Sequence, residues 1–120
     1  MTEANRAAPT FHLPSEVARE LVEAGVAQSA RPSESKDSGA TPASLVVLNV
    51  VVSVVELTQG TAQVPDVASA IARWRRAGDP AKRYQLLASG PKGSMTFSLD
   101  HAPEEAAIGR FILRAVYGIA

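Results

Sequence analysis

The sequence contains no cysteine, which excludes disulfides, thiolate zinc sites and cysteine nucleophiles together. Histidine is scarce. His12 stands alone, and two histidines so far apart in sequence make a poor metal-ligand set. Acidic and basic residues balance at zero net charge, leaving no global field to attract nucleic acid or a membrane. There is no Gly-x-Ser-x-Gly elbow and no Walker motif. No run reaches the roughly 20 apolar residues of a membrane span. The opening Met1-Thr-Glu-Ala-Asn-Arg6 lacks a basic start followed by an apolar run, so no signal peptide is expected and the expected location is cytoplasmic. No cofactor or metal is implied.

The dominant feature present is Leu45-Val-Val-Leu-Asn-Val-Val-Val-Ser-Val-Val-Glu-Leu57. Seven of its thirteen residues are Val, and β-branched residues lean toward strands. Its polar positions point the other way. Asn49, Ser53, Glu56 and Gly60 are spaced four, three and four apart, which at about 100° per residue is one stripe of a helix. The spacing therefore predicts a helix over 45–57 with an apolar arc of about 260°, and a buried strand is the alternative. Thr41 and Pro42 supply an N-cap and a first helical position. So wide an arc needs cover from its own domain, a second subunit or lipid.

The 120 residues suit one modest domain. Residues 1–10 are polar and Pro-broken, hence frayed. Phe11-His-Leu13 reads as a short strand. Pro14 to Gly25 reads as a helix, with Val17 and Leu21 on its apolar face and Arg19 offsetting Glu16 and Glu20. Residues 27–44 have almost no apolar side chains beyond alanine and read as a flexible linker. A second helix opens at Pro65, buries Val67, Ala68, Ile71 and Trp74, and ends in Arg73-Trp-Arg-Arg76 before Gly78. It is expected to fold back on 45–57 as a helical hairpin. Tyr84–Ser89 and Ser94–Leu99 flank Gly90-Pro-Lys-Gly93 as a β-hairpin, and Met95, Phe97 and Leu99 alternate strictly with Ser94, Thr96 and Ser98. A last helix presents Ile108, Phe111, Ile112, Ala115 and Val116, and Gly118 ends it.

The expected fold is therefore α+β: a helical hairpin and a C-terminal helix packed on a short antiparallel β-hairpin. The expected division is an N-terminal strand and helix (1–26), a linker (27–44) and a compact accessory domain (45–118).

Candidate sites are few. Asp100-His101 follows a strand and reads as a turn rather than part of a catalytic triad. Gly90-Pro-Lys-Gly-Ser94 has its lysine before the second glycine and a strand after it, unlike a phosphate loop. Arg73, Arg75, Arg76, Lys82 and Arg83 form a local basic patch, read first as a solvated helix end and second as a nucleic-acid or anionic-lipid patch. Asn49, Val52, Ser53 and Glu56 mark the edge of the apolar arc, a candidate interface.

One constellation resembles a known family. An apolar helix comes first, then a helix ending Ala72-Arg-Trp-Arg-Arg76. Two strands with a Gly-containing turn follow, closed by Asp100, and then a short C-terminal helix. Over residues 43–118 this order is similar to the effector-associated constant component family of bacterial conflict systems. The resemblance implies a non-enzymatic accessory or adaptor protein that binds a separate effector such as a protease, with no catalytic residues to carry over. A homo-oligomer is the other expected partner arrangement. Two alternatives stand beside it: a membrane-associated accessory using the 45–57 helix, and a small ligand-binding domain or enzyme.

Overall fold

The computed structural model describes residues 8–30, 43–101 and 103–119. In chain order they form β1 (Thr10–Pro14), α1 (Ser15–Glu23), β2 (Ala27–Ser29), β3 (Ser44–Val47), β4 (Val52–Leu57), α2 (Val64–Ala77), β5 (Gln85–Gly90), β6 (Gly93–Ser98) and α3 (Glu105–Ala115). A single 3-10 turn, Gly60–Gln63, leads into α2.

The Val-rich stretch is a pair of strands joined by a turn, which corrects the helix expected over 45–57. The turn is set by Asn49 at φ 72, the left-handed region that Asn enters far more readily than Val. On either side, Leu45, Val47 and Val55 are buried while Val46 and Val54 are only partly so. That is the period of two in which β-branched side chains pack best. The helical spacing of the polar residues was coincidental. Asn49 sits in the turn, Ser53 and Glu56 lie on opposite faces of β4, and Gly60 lies beyond it. The expected helical hairpin is thereby removed, and Thr41 and Pro42 lie outside the described residues.

The sheet runs β2-β4-β1-β3-β5-β6. Only β1 and β3 are parallel; the other neighbours are antiparallel. The N-terminal strand is thus a central one, with Phe11 level with Leu45 on one side and Val55 on the other. A boundary near residue 44 does not separate two cores, because strands from both sides of it share this sheet. The expected linker also begins and ends in strand, at β2 and at Ser44 of β3. Residues 31–42, and with them the expected flexibility, lie outside the described residues.

One sheet face carries the core. Phe11, Leu13, Leu45, Val47, Leu86 and Ala88 are essentially inaccessible there, and burying each large side chain stabilises by about 1.5–3 kcal/mol. All three helices cover this face. Ser15 of α1 bonds Ser53 through their hydroxyls at 3.1 Å, Phe111 of α3 meets Phe97 of β6 at 5.2 Å, and α2 packs between α1 and α3. Helix α1 lies within the expected Pro14–Gly25, although Pro14 itself closes β1, and Glu20 is paired with Arg73 of α2 rather than only balanced by Arg19. It is also firmly docked: Val17, Ala18 and Leu21 are buried. The end of β4 is tied back to it. Thr58 N–H donates to Val26 O at 3.0 Å, and the Gln63 amide, itself buried, donates to the Thr58 hydroxyl at 2.8 Å.

The β5–β6 hairpin forms as expected, with a tighter loop. Gly90 pairs with Gly93, so Pro91 and Lys92 alone make the turn. Gly90 has a packing reason. A Cβ there would overlap the Ala115 carbonyl oxygen and lie 3.0 Å from that of Val116, so α3 can settle on β5 only over a glycine.

Candidate functional site

The five basic residues of the expected patch do not share one surface. Arg73 is engaged with Glu20, and Arg76 is exposed on α2. Arg75 is 3 % exposed, which removes it from any surface patch. Its position explains this: it follows Val64, Val67, Ala68 and Ile71 on the helical stripe that faces the core. Trp74, expected on that face, is half-buried at its border and packs on Tyr84 at 4.8 Å.

The buried guanidinium works as a staple. Arg75 Nε donates to Leu99 O at 2.7 Å, and one terminal nitrogen donates to Lys82 O at 2.7 Å. Longer bonds reach Asp79 O at 3.2 Å and Asp100 O at 3.4 Å. The group lies 5.2 Å from the Tyr84 ring centroid, within cation–π range. The planar fork is suited to several carbonyls at once. It draws the exit of α2, the approach to β5 and the end of β6 together.

Over this staple the chain forms a polar cleft of about 260 Å³ lined by Pro80, Ala81, Lys82, Arg83, Asp100 and His101. One Asp100 oxygen accepts Tyr84 N–H at 3.3 Å, and the other lies 3.7 Å from Arg83. Arg83 is 84 % exposed, so that ion pair contributes little. The carboxylate is held by a turn, as the sequence suggests for Asp100-His101. A second cleft, of about 450 Å³, lies between α1 and β4, where Ser15, Arg19, Glu23, Ser29 and Ser53 meet. Among the described residues, no group of three or more His, Asp or Glu is placed to hold a metal ion.

The residues expected to border an apolar arc are likewise dispersed. Asn49 donates to Arg83 O at 3.3 Å from its turn. Val52 lies opposite Pro14 and Glu56 opposite Gln28, both on the face away from the helices. Ser53 faces α1. His12 shares the helix-free face with Val46 and Val54, its register partners, and burial among them lowers its pKa.

The sheet edges differ from each other. β2 is three residues long and ends one edge; β6 is six residues long and ends the other. Leu99 N–H donates to Tyr84 O at 2.9 Å, which makes 84/99 a hydrogen-bonded pair of the antiparallel ladder. By alternation, Phe97 and Met95 also bond inward to β5. The backbone N–H and C=O groups of Ser94, Thr96 and Ser98 therefore point outward along an edge that no described strand pairs. Natural edge strands are ordinarily protected by charge, proline, a bulge or shortness. β6 is Gly93-Ser-Met-Thr-Phe-Ser98 and carries no charge and no proline. Sequence reasoning found this strand but not its place at an edge, because edge position depends on which strands pair far along the chain.

No family model, curated protein or solved structure matches the chain. Of the elements that carry the resemblance over 43–118, the first is a strand pair, while α2, β5, β6 and α3 follow in the expected order. No described helix is long and apolar enough to cross a membrane, and the helix that a membrane-associated role required at 45–57 is replaced by β3 and β4.

Proposed function

We propose that the protein is a small non-enzymatic accessory module that binds another polypeptide by strand addition at the edge of β6. The observation that carries this is the outward set of backbone donors and acceptors at Ser94, Thr96 and Ser98 on a long, uncharged edge strand. Main-chain hydrogen bonds supply affinity in such binding, and side chains on alternate positions supply selectivity. Met95 and Phe97 are half-buried on the helix-covered face and offer apolar contact to an added strand, while Ser94, Thr96 and Ser98 offer hydroxyls on the other face.

The resemblance to effector-associated components supports the same class. It points to a cytoplasmic effector, such as a protease, encoded beside this protein. The test is amide hydrogen exchange on the protein with and without that co-expressed effector. The amides of Ser94, Thr96 and Ser98 should gain protection, and Thr96→Pro should abolish co-purification. A complex that forms without slowing those three amides overturns the proposal.

A further inference from the structure

We infer that β6 also accepts a second copy of itself, added antiparallel about a two-fold axis through Thr96. This rests on the strand-addition role proposed above and names one occupant of that edge. The outward-facing residues are spaced symmetrically about Thr96. An antiparallel copy centred there sets Thr96 opposite Thr96 and Ser94 opposite Ser98 in both directions. Every one of these is a hydrogen-bonded pair, so each exchanges two backbone bonds. A shift of one residue in the register would oppose outward groups to inward ones and lose the ladder.

The same register matches the side chains. On the helix-covered face, Met95 of each copy lies beside Phe97 of the other, a thioether–aromatic contact. Phe97 is already backed by Phe111 at 5.2 Å, so the added contact extends an existing apolar cluster. On the opposite face the hydroxyls of Ser94, Thr96 and Ser98 form cross-strand pairs. At the ends, Lys92 of each copy falls level with Asp100 of the other. These are the nearest charged residues flanking β6 on either side, and they are of opposite sign. Charge complementarity therefore favours this register over a parallel arrangement, which would bring Lys92 to Lys92 and Asp100 to Asp100.

The experiment uses the absence of native cysteine. Sedimentation of the full chain across about 1 µM to 1 mM should show a monomer–dimer equilibrium, the range expected for a small interface. Thr96→Pro should raise the dissociation constant at least about tenfold. It removes an outward N–H and no bond to β5, so its circular dichroism and melting should stay close to the parent's. Thr96→Cys should cross-link to itself on mild oxidation, because a hydrogen-bonded pair sets the Cα atoms about 5.5 Å apart. Ser94→Cys should not link to itself, its copies lying about 14 Å apart, but should link to Ser98→Cys when the two are mixed. A strict monomer at the highest concentration overturns the inference and leaves strand addition by an effector to be judged by its own exchange test. A dimer in which Ser94→Cys links to itself, or which Thr96→Pro leaves intact, overturns it too by placing the contact elsewhere.

Discussion

Replacing Arg75 should destabilise the fold more than any other change to a charged side chain. The two bonds of 2.7 Å, to Leu99 O and Lys82 O, are charge-assisted, and such bonds contribute about 1.5–3 kcal/mol each. They share one donor group, so they are not additive. Arg75→Ala also removes packing beside Tyr84 and leaves the buried Leu99 carbonyl without its donor. The expected loss is about 4 kcal/mol, a large share of the roughly 5–15 kcal/mol of a small domain. Arg75→Met separates the causes. It keeps most of the stem and volume but none of the donors, so it should recover only the packing part and still cost about 2–3 kcal/mol. Exchanging a buried ion pair for apolar residues is often neutral, but the partners here are backbone carbonyls that remain after the exchange. Urea unfolding followed by circular dichroism, at unchanged slope, gives these numbers. Fluorescence of Trp74, which packs on Tyr84 at 4.8 Å, reports the same region. An Arg75→Ala loss below about 1 kcal/mol would refute the staple, as would Arg75→Met matching the parent.

Gly90→Ala should cost at least about 2 kcal/mol in the same assay, because its Cβ meets the backbone of α3 rather than a movable side chain; a neutral result would mean α3 sits differently on β5. Asn49→Val should lose about 1–2 kcal/mol through the left-handed turn, whereas Asn49→Gly should stay within about 0.5 kcal/mol of the parent. A helix over 45–57 would reverse the order of those two variants. Burial lowers the pKa of His12 from 6.5, so the unfolded chain binds its proton first as pH falls. Stability from this group is full above 6.5 and is lost as pH drops through that value toward the folded pKa. His12→Gln should flatten that part of a stability–pH curve, and an unchanged curve would exclude His12 as its source. Trp74→Ala should cost about 2 kcal/mol, less than for a fully buried tryptophan, since Trp74 is half-buried.

The elements legible in the sequence are those whose periodicity is local and long enough to be unambiguous. α2 repeats its apolar positions over four turns and opens at a proline. α3 repeats its apolar positions from Ile108 to Val116, and β6 alternates without exception. The Val-rich stretch misled because two short strands with a turn between them place polar residues at intervals that imitate a helix. The residue that separates the cases is Asn49, whose left-handed turn leaves no mark beyond its residue type. Arg75 was misplaced for a related reason. Its charge suggested solvent, while its spacing from Ile71 already put it on the buried stripe. The outward geometry of β6 follows from the ladder once Tyr84 and Leu99 are known to pair, but its position at the sheet edge does not.

What no local pattern contains is the place of β1. β3 and β4 are joined by a short turn and run antiparallel, so as sequence neighbours they would pair as a hairpin. Instead β1 lies between them, parallel to β3 and antiparallel to β4. Its Phe11 and Leu13 are completely buried, and His12 bridges Val46 and Val54 on the opposite face. Ser15 N–H, just beyond β1, donates to Val51 O at 3.3 Å, so the chain leaving β1 passes close to the turn between its two neighbours. This insertion gives the valines of β3 and β4 a strand neighbour, while Leu45, Val47 and Val55 are buried beneath the helices. β3 and β4 each gain a ladder partner on the side facing β1, and their buried positions fall over the same helices as Phe11 and Leu13. Part of the apolar surface of 45–57 is thus met by the sheet and the helices over it, while Val51, beside the turn, stays 79 % exposed. Of the two strands that end the sheet among the described residues, β2 and β6, β6 is the longer. The proposed strand addition therefore uses β6 and not the valines.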